Sequence, residues 1–166
     1  NILINNAGAI HRANIVDTSD EKWQEIMKLN VDSVFYMSKA SIPAIKSHGA
    51  IVNTASTCGI VGAAGLGAYC ASKGAVIQLT KATALECASK KITVNAVCPG
   101  AIDTPMLFSK HTDGATEEDV RKNNISSIPL REIASPNEVA RAILYLAREP
   151  HLTGTILSVD GGYTAQ

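Results

Sequence analysis

The sequence predicts an α/β fold: an open, parallel sheet with helices on both faces. Three observations carry this prediction. Short apolar β-forming runs alternate with longer stretches whose apolar residues recur every three or four positions. Each of the first three runs stops at something polar or sharply turned: Asn5-Asn6, Ser56 and Pro99-Gly100. The order β-α-β-α-β-(excursion)-α-β puts consecutive strands side by side through right-handed crossovers.

The elements follow in chain order. Ile2–Ile4 is a strand that runs into the Asn5-Asn6-Ala7-Gly8 turn. It is under way by the second residue, with no initiator Met and no helix cap, so an upstream part is expected. Thr18 and Glu21 match a T-x-x-E capping box. Behind them Trp23, Ile26, Asn30, Val34, Met37, Ser41 and Ile45 predict one face of a long helical region. It should bend near Asn30, be disturbed by Pro43 and end at Gly49.

Ala50–Asn53 is the second strand, followed by a Gly-rich segment from Gly59 to Gly67. A helix is expected over about Tyr69–Ala88, with Val76, Leu79, Ala82, Thr83 and Leu85 on its apolar side. Ile92–Val97 is the third strand, stopped by Pro99-Gly100. Residues 105–130 are polar and charged with weak helical pattern, and predict a lid over a site. Ser135 caps a helix opened by Pro136, with Val139, Ile143 and Leu146 inward. Thr155–Val159 is the last strand, ending at Asp160-Gly161-Gly162.

Composition narrows the function classes. The formal net charge is zero and 46% of residues are hydrophobic. A nucleic-acid or membrane-surface binder would carry a basic excess. The longest apolar runs fall far short of the ~20 residues of a membrane helix. Cys58, Cys70, Cys87 and Cys98 form no CxxC pair and have no His at zinc-ligand spacing, so they predict reduced thiols of a cytoplasmic protein and no metal site. His11, His48, His111 and His151 are scattered and predict surface positions.

Tyr69 and Lys73 stand at i and i+4 where a helix opens. A free tyrosine titrates near ~10, too high for a base at neutral pH. A nearby ammonium and the helix N-terminus both favour phenolate. Tyr69 then becomes a group able to exchange a proton with a substrate hydroxyl or carbonyl. Taken alone, such a pair is more often a surface Tyr and a solvated Lys. Ser56, thirteen positions earlier across the Gly-rich loop, adds a hydroxyl that can meet charge developing on a substrate oxygen. Taken alone, it reads as a turn or cap serine.

The ordered set Asn5-Asn6-Ala7-Gly8, Ser56, Tyr69-x-x-x-Lys73, Pro99-Gly100 and Asp160-Gly161-Gly162 resembles the short-chain dehydrogenase/reductase family over essentially the whole chain. The resemblance implies the C-terminal part of a Rossmann-like doubly wound parallel sheet, with the first three strands absent. It implies a single partial NAD(P)-binding domain over residues 1–166, with the lid at about 105–130. Hydride would pass between NAD or NADP and a secondary alcohol or carbonyl substrate.

By the same resemblance, Tyr69 is the general acid/base and Lys73 lowers its pKa while binding the nicotinamide ribose. Ser56 orients the substrate oxygen. Asn30 holds a water of a proton relay. Asn6, Ala7 and Gly8 lie along the cofactor. Pro99, Gly100 and Ile102 flank the nicotinamide, and Thr104 bonds its carboxamide. Thr57, Cys58, Ala101 and the lid shape the substrate space. A homotetramer or homodimer would assemble on the helices after Ser19 and Tyr69 and on the last strand.

One family feature is missing. The fingerprint T-G-x-x-x-G-x-G, which brings backbone close to the pyrophosphate at a helix N-terminus, does not occur. Gly59, Gly62, Gly65 and Gly67 match neither it nor G-x-G-x-x-G, and lie on the substrate side. Roughly 70–90 upstream residues are expected to hold the missing strands, at ~30 or more per βαβ unit. Without them the first strand is an edge with an uncovered apolar flank. A second reading is therefore a non-catalytic truncated fragment that acts by packing with a partner chain. A hydrolase using Ser56 with Lys73 is disfavoured, because Ser56 stands in neither an S-x-x-K nor a G-x-S-x-G context.

Overall fold

The computed structural model of the chain describes residues 1–109 and 114–166; the expectation for His111 and the first part of the lid lies outside them. Four strands, β1 (Ile2–Asn5), β2 (Ala50–Thr54), β3 (Thr93–Pro99) and β4 (Ile156–Val159), form one sheet in the order β1-β2-β3-β4. All pairs are parallel, with Leu3 opposite Ile51, Ile51 opposite Val94 and Val97 opposite Leu157. The predicted strand order holds, with boundaries moved by a residue or two.

Side-chain alternation divides the sheet into two faces. Ile51 and Val94 point to the face covered by α3 (Gly67–Cys87), where they pack with Leu3, Ala84, Cys87 and Ile92. Val52 and Val97 point to the other face and pack with Val139 and Leu146 of α5 (Pro136–Arg148). Burying a side chain such as Leu146, 0% exposed, contributes about 1.5–3 kcal/mol. Ile2 and Ile4 lie on the α5 side of β1 but remain 56% and 46% exposed, because α5 packs on β2, β3 and β4.

The first helical region departs from its predicted phase. It comprises α1 (Asp20–Met27), a π-helical turn over Lys28–Asp32 and α2 (Ser33–Ser41). The buried stripe is Ile26, Asn30, Val34 and Ser38. Trp23 and Met37, expected inward, are 41% and 50% exposed. A π turn takes an extra residue into the helix and shifts everything beyond it around the axis. The predicted bend near Asn30 is this turn. The helix stops at Ser41, ahead of Pro43, rather than at Gly49.

The expected T-x-x-E box is also corrected. Ser19, not Thr18, caps α1 by accepting from the Lys22 N–H, while the Thr18 hydroxyl donates to the Asn14 carbonyl. In α3, Ala82 and Leu85 face outward, and Ala84 and Cys87 take the inward positions. The lid contains a helix, α4 (Glu117–Ser127), started by a Thr116–Asp119 capping box and burying Val120. The predicted Ser135 cap is present as a capping box with Glu138.

Candidate active site

The C-terminal ends of β1, β2 and β3 meet one edge, where an open α/β sheet forms its ligand crevice. Tyr69 is the third residue of α3 and is buried, with Lys73 one turn further on and 4% exposed. The short 3-10 turn Thr57–Gly59 folds back onto this helix, which brings Ser56 to the phenol. The fold-back depends on Gly59. A Cβ there would lie 2.7 Å from the Lys73 carbonyl carbon and oxygen. Ser56 is extended (φ −171°), and its oxygen accepts from the Cys58 N–H at 3.1 Å. Its own proton is thereby left for another acceptor.

Lys73 Nζ donates to the Thr54 carbonyl at 2.8 Å and stands 5.8 Å from the Tyr69 ring centroid. Burial lowers the ammonium to about 8. The Tyr69 phenol moves the other way, to about 12, because burial outweighs the Ser56 hydroxyl and the Arg12 charge that favour phenolate. The expectation that Lys73 depresses Tyr69 is corrected: in this geometry the ammonium is committed to Thr54, and the cation acting on the phenol is Arg12.

Asn30, at 0% exposure, sits on the π turn. Its side-chain carbonyl accepts from the Ala9 N–H at 2.8 Å, and its amide donates to the Ala9 carbonyl at 2.9 Å and the Ser72 hydroxyl at 3.0 Å. Ser72 in turn donates to the Tyr69 carbonyl at 2.8 Å. The side chain expected to hold a water thus fixes the segment after β1 to the helix carrying Tyr69. Gly8 fits between them: a Cβ would lie 3.2 Å from Asn30 Oδ1 and 3.4 Å from Lys73 Nζ.

A buried chain of amides and hydroxyls underlies this edge. Asn5 donates to Asn53 at 2.8 Å, Asn53 to Thr80 at 2.9 Å and Thr80 to the Val76 carbonyl at 2.7 Å. Asn6 is exposed and accepts from the Thr54 hydroxyl at 3.0 Å. Pro99 ends β3, and the Gly100 N–H donates to Val159 at 3.0 Å. A Cβ on Gly100 would meet that of Asp160 at 2.9 Å. Ile102 forms a bridge to Ala134, and the Thr104 hydroxyl donates to the Ile102 carbonyl at 3.3 Å. Asp160-Gly161-Gly162 receives the end of the lid. The Leu130 N–H donates to Gly161 at 3.1 Å, and Ile128 and Pro129 lie against the two glycines.

Two neighbours escaped sequence reasoning. Arg12 reaches Tyr69 and Cys58 electrostatically and donates to the Met106 and Leu107 carbonyls at 3.3 and 3.2 Å. His11, expected at the surface, is partly buried, with its Nε2 closed off from solvent. The signal available for both was position: they follow the Asn5–Gly8 turn at the chemical edge of the sheet. Cys58 and Cys70 lie beside the phenol, and burial first of all pushes the Cys58 thiol up. Two surface hollows lie elsewhere. One, at the opposite edge, is lined by His48, Gly49 and Pro150; the other runs along α4 at Glu118 and Arg121. Among the described residues no group of three or more His, Cys, Asp or Glu is placed to hold a metal ion. No helix among them is long and apolar enough to cross a membrane.

Known proteins share this arrangement. The family model described as enoyl-(acyl carrier protein) reductase matches residues 1–164. A solved short chain dehydrogenase family protein from Francisella tularensis superposes with a TM-score of 0.94 at 34% identity, over 99% of this chain and 71% of that one. The chain belongs to the short-chain dehydrogenase/reductase family. Within it, the chain is 39% identical to the 3-oxoacyl-(acyl-carrier-protein) reductase FabG of Thermotoga maritima, over 97% of this chain and 65% of that reductase. It is also 39% identical to the NADP-dependent (R)-specific alcohol dehydrogenase of Lentilactobacillus kefiri, over 99% of this chain and 66% of that enzyme. The chain thus spans just under two thirds of the length of these curated relatives. Members of this short-chain dehydrogenase/reductase group are oxidoreductases that use NAD or NADP, and the sheet described above is their Rossmann-type α/β fold.

Proposed function

We propose that the full-length protein transfers a hydride between NAD or NADP and a secondary alcohol or carbonyl carbon. The observation that carries this reading is the convergence of Ser56, Tyr69 and Lys73, all buried, at the C-terminal sheet edge. The nicotinamide ring, when bound, supplies or accepts the hydride. Lys73 suits the ribose hydroxyls. Its ammonium has three N–H donors, and Thr54 takes one of them among the described residues. Asn6, Ala7 and Gly8 would line the cofactor on one side, with Pro99, Gly100, Ile102 and Thr104 on the other. Residues 105–130 would close over the substrate within this single domain.

Tyr69 is a neutral phenol at pH 7, so it acts as the proton donor to a carbonyl oxygen in reduction. Ser56 donates a second hydrogen bond to the same oxygen as charge builds there. In the oxidative direction Tyr69 must first lose its proton, which the cations at Lys73 and Arg12 favour. Asn30 holds Ala9 and Ser72 in place, so the two walls of the site keep their spacing; a water on this turn would extend the relay from Lys73. We also propose assembly as a homodimer or homotetramer through the outer faces of α2 and α3, where Tyr36, Met37 and Leu85 are 61%, 50% and 80% exposed. The free thiols fit a cytoplasmic setting.

The test is a Tyr69→Phe variant of the full-length protein, assayed by nicotinamide absorbance against a panel of ketones and alcohols. Loss of one acid/base group should lower the rate ~100-fold or more with the circular dichroism unchanged. A variant with the full wild-type rate would remove Tyr69 from the chemistry.

A further inference from the structure

Arg12 is a cation without a counter-ion in a place where one costs energy. It lies on the segment after β1, and that segment is fixed against the start of α3: the Ala13 N–H donates to Gly65 at 2.9 Å, and Ala13 bridges to Leu66. Tyr69 is three residues beyond Leu66. From there one guanidinium nitrogen, Nη2, reaches across to the Met106 and Leu107 carbonyls of the lid. Arg12 thereby spans the space between the candidate proton donor and the lid, on the substrate side of the phenol.

Its remaining polar edge is unmatched. Among the described residues no carboxylate pairs with Arg12, and its Nε is buried without a hydrogen-bond partner. The neighbouring His11 Nε2 is buried and unpartnered as well. Burial lowers the Arg12 pKa, and Tyr69 and Cys58 raise it. A desolvated guanidinium with a free N–H edge is suited to a planar carboxylate, which it bonds bidentately. Two carbonyl oxygens provide hydrogen bonds but no neutralising charge.

Building on the hydride-transfer reading, we propose that Arg12 binds a carboxylate of the substrate a few bonds from the reacting carbon, so that the substrate is a short hydroxy or oxo acid. The residue is a specificity determinant that holds the acid end while Tyr69 and Ser56 meet the carbinol or carbonyl oxygen. His11 Nε2 is the second polar atom available to that acid group.

Calorimetric titration tests this without turnover. Full-length protein loaded with oxidised cofactor is titrated with acetoacetate and, separately, with its neutral methyl ester. The acid should bind at least tenfold more tightly than the ester. Arg12→Met should weaken acetoacetate at least tenfold and the ester less than threefold, and Arg12→Lys should recover part of the loss. Equal binding of acid and ester to the wild type overturns the proposal, as does binding of neither at millimolar concentration. Equal weakening of both by Arg12→Met, with none recovered by Arg12→Lys, reduces Arg12 to a lid pin and also overturns it. Acid-selective binding without any hydride transfer would instead leave Arg12 standing and remove the redox reading.

Discussion

The two faces of the sheet are built from different chemistry. On the α3 face, Asn5, Asn53 and Thr80 form a buried hydrogen-bonded chain, and Asn30 and Ser72 extend polar contacts to the helix that carries Tyr69. On the α5 face, Val52, Val97, Val139 and Leu146 make an apolar layer. Asn95 lies on that side too, but it bonds backbone at Leu152 and Thr155 and sits near the start of β3, away from the chemical edge. Apolar packing has no preferred direction, whereas hydrogen bonds fix distance and angle. The face that must hold reacting groups in register is joined by directional bonds. The opposite face supplies burial.

This contrast makes predictions that should separate stability from rate. Leu146→Ala on the α5 face should cost about 2–5 kcal/mol by urea unfolding, from lost burial and a cavity. Activity per folded molecule should stay within twofold. A tenfold loss of specific activity would show that the two faces are coupled. Asn53→Ala on the α3 face should cost less, about 1–3 kcal/mol, because it leaves Asn5 and Thr80 short of a partner. Its kcat should nevertheless fall more than that of Leu146→Ala, since Asn53 ties β1 to α3 beneath the site. The reverse ranking of the two variants would break the comparison.

The smallest effect is a pH slope. Lys73 in the folded protein titrates near 8, below its ordinary value of 10.5. Between these values the unfolded chain binds more protons, so this group makes stability rise as pH rises through that window. Tyr69, raised from 10 to about 12, acts oppositely above pH 10. The buried thiols Cys58 and Cys98 are also raised and oppose the Lys73 slope. The difference between wild type and Lys73→Met isolates the lysine. Wild-type unfolding free energy should gain on the variant from pH 8 to 10, and a constant difference would place the ammonium in a solvated environment.

Local patterns were legible in the sequence, and tertiary partners were not. The four strands, their order and the Tyr69/Lys73 pair follow from periodicity and an i,i+4 spacing. The Ser135 cap follows from the same short-range grammar. The phase of the first helical region was lost because the π turn at Lys28–Asp32 rotates everything beyond it, so Met37 and Trp23 face solvent. The choice of Ser19 over Thr18 as cap turns on a bond from Thr18 back to Asn14, which a hydroxyl pattern does not disclose. The helix α4 is weakly patterned because Val120 is its one fully buried residue and its start rests on the Thr116–Asp119 box. Arg12 sits in a loop, where no period marks it. The upward shift of Tyr69 depends on burial, and spacing to Lys73 carries no information about that.

Asn30 has a wider consequence. An asparagine side chain is a primary amide, chemically a small piece of peptide. By donating to the Ala9 carbonyl and accepting from the Ala9 N–H, it gives that residue the two-bond exchange that a neighbouring strand would give. A helix thereby continues the ladder past the point where β1 has left the sheet. Aspartate would keep the shape but lose the donor, and glutamine would keep the amide but overshoot by a methylene. The site wall is therefore held by a surrogate rung that accepts no ordinary substitute, and its partner is backbone, which no point mutation at residue 9 removes short of proline.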